Sequence, residues 1–592
     1  MFSLKLKFPF AGALSALAVL LLSLFFFPLS AFAARWYVDS GGKGEGTSWS
    51  DASPNLALIL FKAGEGDEIW VAEGVYKPAY NKDGSPANNV TRTFALKNGL
   101  KLYGGFPPGG AADKADRNPK AYPSVLNGDG AYHTVYVHTL NDEAELNGFT
   151  ITGGKAGGSS SNDKIGGGIY IYKSYLRVAD CVLKDNEARD GGGGAYASDY
   201  VLVFSGCSFS GNEISDGKGG GLFISNSTAL VSDCIFEENS ALGGATAVYG
   251  GGLSCGTDSS VTVSRCSFIG NKAWAEKANA GGGGLHAFNG AAVELENCTF
   301  FENSASAEAG HKGHGGAVFL MGSKTSLIVV NSTFFDNEAK DAGSGLYGER
   351  GKITAVNCIC FGNSGAEEIK TASADPLYIS SSLLPLNGVS GSNITLEDIF
   401  YGDPLLGELR RNAGVAPFII PSPQGAGIDV GLDPGEHTLN GATVHIPATD
   451  QRGLPRPSGS GTDLGACELQ WYTLSLSVSG DGQGAVEANP SGVLFPEGAE
   501  VTLSALPDGG SFFAGWEGDE NGGTNPASIV MDGNKAVAAR FSPEVTDPPK
   551  PNVKEPPKAP KSAGDRSGGC SFTGLPGLML LVGLPALLLA IK

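Results

Sequence analysis

Between residues 166 and 363, apolar and polar positions alternate in short runs broken by glycine, and the runs return in register. The segment GGGLFISNSTALVSDCIFEEN, ending at Asn239, serves as the template: a Gly-rich entry, two short apolar runs, a Cys-x-Phe pair and an Asn. One column reads Cys181, Cys207, Cys234, Cys266, Cys298, Ser332 and Cys358. Two positions on, another reads Leu183, Phe209, Phe236, Phe268, Phe300, Phe334 and Cys360. The Asn column is Asn186, Asn212, Asn239, Asn271, Asn303, Asn337 and Asn363. Self-similarity at a fixed period means stacked supersecondary units.

Side chains alternate across a strand, so Cys and Phe share an inner face while the residue between them (Val182, Ser208, Ile235, Ser267, Thr299) points outward. Runs such as GLFIS and ALVSD add two more short strands per unit, too many breaks for helices and too few residues for a propeller blade. Each unit therefore reads as one coil of an all-β solenoid, a parallel β-helix, bonded to the coils above and below at ~4.8 Å. Parallel crossovers make it right-handed. The Asn column reads as a ladder, because Asn tolerates left-handed backbone angles at a turn and stacked buried amides exchange hydrogen bonds along the axis. Glycines beginning at Gly166, Gly192, Gly219, Gly250 and Gly281 supply the corner before the next strand.

Repeat length varies at one place. From the third glycine to the Cys the spacing is 13 or 14 residues, whereas from the Asn to that next glycine it runs 8, 9, 13, 13, 14 and 8. The three long loops belong to consecutive coils and stack at one corner, the usual place for function on a solenoid. They hold Tyr249, Lys272, Trp274, Lys277, His311, Lys312 and His314 against Glu276 and Glu308. A Trp among cations suits a sugar ring or an anionic glycan. Trp274 equally fits a packing role between drifting loops, and the sequence leaves both readings open.

Residues 1–33 have the parts of a secretory leader: Lys5 and Lys7, an apolar run from Phe8 to Phe27, and Ala31-Phe32-Ala33 as a cleavage site ahead of Ala34. A short helix with Ser53 as N-cap and Pro54 as its first residue, running to about Phe61, is expected to close the open end of the solenoid (34–365). Terminal coils and a cap occupy 366–470, where Asp450, Arg452 and Arg456 would satisfy the last open backbone groups and one another. Residues 471–542 alternate between Gly, Asn and Pro turns as a small β domain, and 543–569 form a Pro/Lys-rich extended linker. The chain ends in Gly568-Gly569-Cys570, an apolar stretch from Leu575 to Ile591 and Lys592, a sorting signal or hydrophobic anchor in 570–592.

Composition narrows the partners. The 89 glycines of 592 residues suit a corner-rich solenoid, and without a G-x-y period collagen is excluded. A formal charge of -20, or -22 once the leader takes Lys5 and Lys7 with it, repels nucleic acid and anionic lipid. Six of the ten cysteines lie in one inward column whose side chains point the same way, a poor arrangement for a disulfide torsion, so free thiols are expected.

For catalysis, Gly313-His314-Gly315 is the tempting string, since glycosidases on such a fold pair a Gly-His-Gly with carboxylates in Asn-Thr-Asp and Asp-Asp strings. Neither carboxylate string occurs, and Gly315 and Gly316 already belong to the corner column. His311 and His314 with Glu308 are a weak metal pattern. Asp180 and Asp233 precede the Cys column, but Gly206, Arg265 and Asn297 fill that position in other coils, as on a solvated face rather than a calcium site. No P-loop, dinucleotide fingerprint, Ser-His-Asp elbow or zinc motif stands out, and no cofactor or metal is expected.

The opening stretch after the leader resembles exported pectin-lyase-like β-helix proteins. The repeat, with GGLF and FEEN or GGAV and FFDN, resembles polymorphic outer-membrane proteins. GIDVG (427–431), Asp450, Arg452, Arg456 and TDLGACELQ (462–470) resemble a choice-of-anchor segment. Phe513, Gly515, Trp516, Gly518 and Phe541 fall on the motif of the divergent internalin-type B-repeat, usually a surface spacer. The Gly-Gly-Cys tail resembles a Synergist-type CTERM sorting signal. Together these imply a surface-anchored adhesin-like or structural protein with glycans or surface proteins as partners. A polysaccharide lyase or glycosidase on the same scaffold is the alternative.

Overall fold

The computed structural model describes residues 33–87 and 89–544. In the template coil, Leu222–Ser225, Thr228–Ser232 and Ile235–Glu237 are the three expected strands, and Ser240–Gly243 adds a fourth after the Asn. Equivalent strands join into four parallel sheets, here called first to fourth in that order, of 11, 13, 10 and 7 strands among the described residues. The third sheet is in register on the Phe column, Leu183 to Phe209 to Phe236 to Phe268 to Phe300 to Phe334 to Cys360. The second and first sheets carry two more coils past residue 365, ending at Ile394–Glu397 and Val389–Ser390.

Burial follows the alternation. The Cys and Phe columns are at most 3% exposed and form one continuous core with Leu222, Ile224, Ala229 and Val231 of the other strands. Phe rings stack nearly parallel, with centroids 4.7 Å apart for Phe209–Phe236 and Phe236–Phe268 and 4.5 Å for Phe268–Phe300. All nine cysteines in the described residues are free thiols.

The Asn column is a ladder, but it is not where the chain adopts left-handed angles. Those fall on the preceding residue, Asp185, Gly211, Glu238, Gly270, Glu302, Asp336 and Gly362, with φ between 54° and 73°. The reversal must come one residue early, because the Asn side chain has to turn inward to stack. Each Nδ2 then donates to the next Oδ1 at 2.8–3.0 Å, from Asn186 through Asn363. The amides all point one way, and the last Nδ2 meets the Glu368 carboxylate at 2.6 Å. Similarly, the position before the Cys column is a left-handed corner in every coil, from Asp180 (φ 51°) to Asn357 (φ 54°). It is a solvated face only in the early coils, since Asn297, Asn331 and Asn357 are buried under the returning C-terminal segment. At the glycine corner the positive φ is carried by Gly166, Gly192, Gly219 and Gly250, then by Gly282 rather than Gly281.

The N-terminal helix is Leu56–Lys62, and its N-cap is Asn55, whose side chain accepts from Leu58 N at 3.0 Å. Ser53 cannot cap it. Ser53 still pairs in extended form with Val38, and a residue before proline is biased to that conformation, so the helix starts past Pro54. Leu56, Ile59 and Leu60 close the end of the core as expected.

The segment proposed to cap the other end instead returns along the outside of the third sheet. Gln451 Nε2 donates to Ser267 Oγ (2.8 Å), Thr299 Oγ1 to Gln451 Oε1 (2.6 Å), and Ala466 N to Thr333 Oγ1 (2.9 Å). The outward residues between Cys and Phe are therefore buried in these coils. Arg452 and Arg456 pair with Asp450 (2.8 Å) and Glu468 (3.0 Å), and the Arg456 guanidinium also donates to Asp463 O and Gly465 O within the same segment. They satisfy one another and their own turns, not the open ends of the solenoid. Burial and the neighbouring Glu468 push the Asp463 carboxyl up to about 7.

Residues 471–543 form two small sheets around Leu503, Trp516, Val537 and Phe541. Phe513 packs on Trp516 at 5.0 Å, and a Cβ at Gly518 would lie 2.3 Å from Ala536 O, which explains two positions of the motif. Arg452 reaches across to Glu497 of this domain at 2.6 Å.

Candidate functional site

The long corner loops build a ridge. After Asn239, Asn271 and Asn303 the chain runs through Ser240–Gly243, Lys272–Ala275 and Ser304–Ala307 of the fourth sheet, which align Leu242, Trp274 and Ser306. It then turns and returns as Val248–Tyr249, Ala280–Gly281 and Gly313–His314, a three-stranded parallel sheet of its own. Small side chains let the two layers close: Ala241, Ala273, Ala275 and Ala280 are buried with Val248. From the following coil, Lys340 Nζ donates to the carbonyls of Ala307 (2.6 Å), Glu308 (2.9 Å) and His311 (3.0 Å), which ties down the last loop.

The ridge divides the residues singled out from the sequence. On its outer side Trp274 is half-buried, with Lys272 Nζ 6.0 Å from its ring, and Lys277 and Lys312 are exposed. Lys277 pairs with its neighbour Glu276 at 3.2 Å, an exposed contact worth little. His311 is half-buried at the loop end. Tyr249 and His314 instead lie over the outer face of the first sheet. Tyr249 stacks on His286 (4.7 Å) and His314 on Tyr347 (4.1 Å, 1° between planes). His314 Nδ1 is buried with no hydrogen-bond partner among the described residues, and burial lowers the pKa of the ring. Gly313-His314-Gly315 is thus a strand end, a packed ring and a corner with φ 65° at Gly315. Among the described residues no group of three His, Cys, Asp or Glu side chains is placed to hold a metal.

A second feature escaped the sequence reading. The outward position of the first sheet aligns Tyr136, Tyr170, Tyr196 and Phe223 in register, with ring centroids 5.2, 6.0 and 5.3 Å apart. The pile continues through Phe288, His286 and Phe319 to Tyr347. Its signal lay two residues past the glycine column, in IYIY, AYAS and LFIS, but Ser254 and His286 break the residue type. Lys218 sits beside it, half-buried, with Nζ 5.2 Å from the Phe288 ring and 5.8 Å from Tyr249, and burial lowers its pKa. His286, fully buried, has Nδ1 3.1 Å from Ser254 Oγ, and burial holds its pKa well below the ordinary histidine range.

Of the processing residues, Ala33 and Ala34 are exposed at the start of the described chain. Gly568, Gly569 and Cys570 lie outside the described residues. No described helix is long and apolar enough to cross a membrane.

Residues 135–383 match the family described as "Right handed beta helix region", and residues 474–545 match that described as "Divergent InlB B-repeat domain". Among solved structures the chain is similar to one titled "Crystal structure of pectate lyase Pel9A", with 14% identity and a TM-score of 0.40 over 74% of this chain and 96% of that one. No curated protein matches the chain. The protein has a nearly all-β fold, a right-handed parallel β-helix followed by a small B-repeat-like β domain.

Proposed function

We propose that this is an exported protein, anchored at the cell surface through its C-terminus, whose β-helix is a rigid adhesin-like or structural scaffold that binds glycans or surface proteins. The observation that carries the reading is the ridge. Three consecutive coils build an extra sheet beside a solenoid that is otherwise closed, and it presents Trp274 beside Lys272 with Lys277 and Lys312 at its turns. Such a surface is costly to drift into, because its strands, alanine layer and Lys340 staple must agree between coils.

Export is supported by the leader pattern and by the environment of Ala34. Its N–H donates to Asp67 Oδ1 at 2.7 Å, and the same carboxylate accepts from Trp36 Nε1 (2.9 Å) and Gly64 N (2.8 Å). Cleavage before Ala34 would turn that N–H into an α-ammonium already seated on a carboxylate. The choice-of-anchor-like segment and the Gly-Gly-Cys tail extend the reading to the membrane, with the B-repeat-like domain and the Pro/Lys-rich stretch as stalk.

Full-length protein carrying Trp274→Ala and Lys277→Ala should lose binding to cell surfaces or immobilised glycans while its melting temperature stays near the parent's. Retained binding, or a large stability loss, would refute the ridge as the binding face. New reducing ends or unsaturated uronates on incubation with acidic and neutral polysaccharides would replace the scaffold reading by the enzymatic one.

A further inference from the structure

We infer that a cleft at the N-terminal end of the first sheet, remote in sequence from the ridge, binds a neutral oligosaccharide. The cleft encloses about 400 Å3. Its floor is Tyr132, His133 and Tyr136, one wall is the loop carrying Lys82 and Asp83, and the other is the single turn Asn162–Lys164 carrying Asp163.

Both walls are fixed. The first is held by the Asn81–Arg92 and Tyr80–Pro86 bridges, by Tyr132 N donating to Val90 O (2.7 Å), and by the Arg92–Asp129 ion pair (3.0 Å). The second is held where Gly158 N donates to Asp163 O (2.9 Å). A Cβ at Gly158 would meet the Tyr132 ring at 2.8 Å, so glycine lets that wall close on the floor.

Four polar groups facing this space are unspent, whereas the Asp83 carboxylate already accepts from Ser85 N (2.9 Å) and Ser85 Oγ (2.6 Å). The Asp163 carboxylate, the Lys82 ammonium and the Tyr132 and Tyr136 hydroxyls form no hydrogen bond or ion pair with the described residues, although Lys82 Nζ sits 5.4 Å from the Tyr136 ring centroid. His133 Nδ1 lies 3.0 Å from Gly166 O, which can only accept, so Nδ1 carries the proton and Nε2 keeps its lone pair. Burial lowers the pKa of the ring.

Donors and acceptors mixed on an aromatic floor match a polyol with an apolar face. Two carboxylates against one ammonium disfavour a uronate, and the Lys82 ammonium in the wall repels a cation. That leaves an uncharged sugar.

The test is calorimetric titration of the full chain with cellohexaose, xylohexaose, mannohexaose, laminarihexaose and hexagalacturonate. At least one neutral hexasaccharide should bind. Tyr136→Ala and Asp163→Asn should each weaken it by about tenfold, from the lost ring contact and the lost charged acceptor. Trp274→Ala should leave this binding unchanged, so failure here is separable from failure of the ridge. Asp163 lies on a surface turn, so its variant decides the matter if Tyr136→Ala does not fold. Binding by none of the neutral sugars, binding by hexagalacturonate alone, or parent-like affinity in Asp163→Asn would overturn the inference.

Discussion

Removing one rung of the Asn ladder tests the physical account of the whole solenoid. Asn271 Nδ2 donates to Phe236 O (2.7 Å) and Asn303 Oδ1 (2.9 Å), and its Oδ1 accepts from Asn239 N (3.1 Å) and Asn239 Nδ2 (3.0 Å). Asn271→Ala deletes all four bonds and leaves the Asn239 N–H without its acceptor at a site with no solvent access. Four net bonds at about 1 kcal/mol each, plus about 1–2 kcal/mol for the orphaned donor, predict a loss of about 5–6 kcal/mol. Asn271→Asp is the sharper variant. It keeps the shape and both acceptor contacts but faces two carbonyl oxygens with no proton to give, so burial raises its folded-state pKa above the unfolded value of about 3.9. The folded form then binds more protons, and stability is greatest at low pH and falls as pH rises through that raised pKa. At pH 7 Asp should therefore be worse than Ala, and the gap should close towards pH 4. Urea unfolding of the full chain, followed by circular dichroism at both pH values, reads this directly. An Ala variant within about 1 kcal/mol of the parent, or an Asp variant more stable than Ala at pH 7, would mean the ladder does not carry the load argued for it.

Phe236→Ala removes a ring stacked on both sides and should cost about 3–5 kcal/mol by cavity formation, read as a lowered melting transition; an unchanged one would contradict the register. His286 has a folded-state pKa below its unfolded value, so its contribution is intact above about pH 6.5 and is lost as pH falls below it. In His286→Phe the decline in melting temperature between pH 6.5 and 5 should be shallower than in the parent, and an equal slope would assign acid sensitivity elsewhere. Intact-mass measurement on envelope protein should find Ala34 at the N-terminus and nothing beyond about residue 570, and Cys570→Ala should release the protein into the medium. A mass that includes Lys592 would reduce the tail to a plain anchor.

What could be read from the sequence was whatever recurs in every coil. The Cys, Phe and Asn columns face a common interior, so the same requirement recurs in seven coils and selects the same residue, with Leu183, Ser332 and Cys360 as tolerated exceptions. The corners were legible only in part. A left-handed position accepts Gly, Asp, Asn, Glu or Arg, so the position before Cys looked like an acidic or mixed surface column when its shared property is a backbone angle. The return of the C-terminal segment had no periodic signal at all. Its trace was three hydroxyls in succession, Ser267, Thr299 and Thr333, at an outward position where earlier coils carry Val182, Ser208 and Ile235, which makes sense only once Gln451 and Ala466 N are found against those hydroxyls.

The same logic explains why the two candidate binding surfaces differ in visibility. Both arise at the corner between the fourth and first sheets, where the chain can lengthen without disturbing the core. The ridge was visible because the Asn-to-glycine interval could be measured in coils that keep both columns. The cleft is walled by an equally long excursion between Gly154 and Gly168, but Gly154 stands where later coils have Asn, and only its N–H, bonded to Asn186 Oδ1 at 3.1 Å, shows that it begins the ladder. Between them, at Asn186 and Asn212, the corner is short, and the outward pile of Tyr170, Tyr196 and Phe223 runs from one surface to the other. In that pile the rings stack on each other along the axis, so their faces are already occupied and their edges point out. Ring faces not taken up by a neighbouring ring are therefore to be sought where the corner loops stand up, where both proposed binding surfaces lie, rather than on the flat sheet between them.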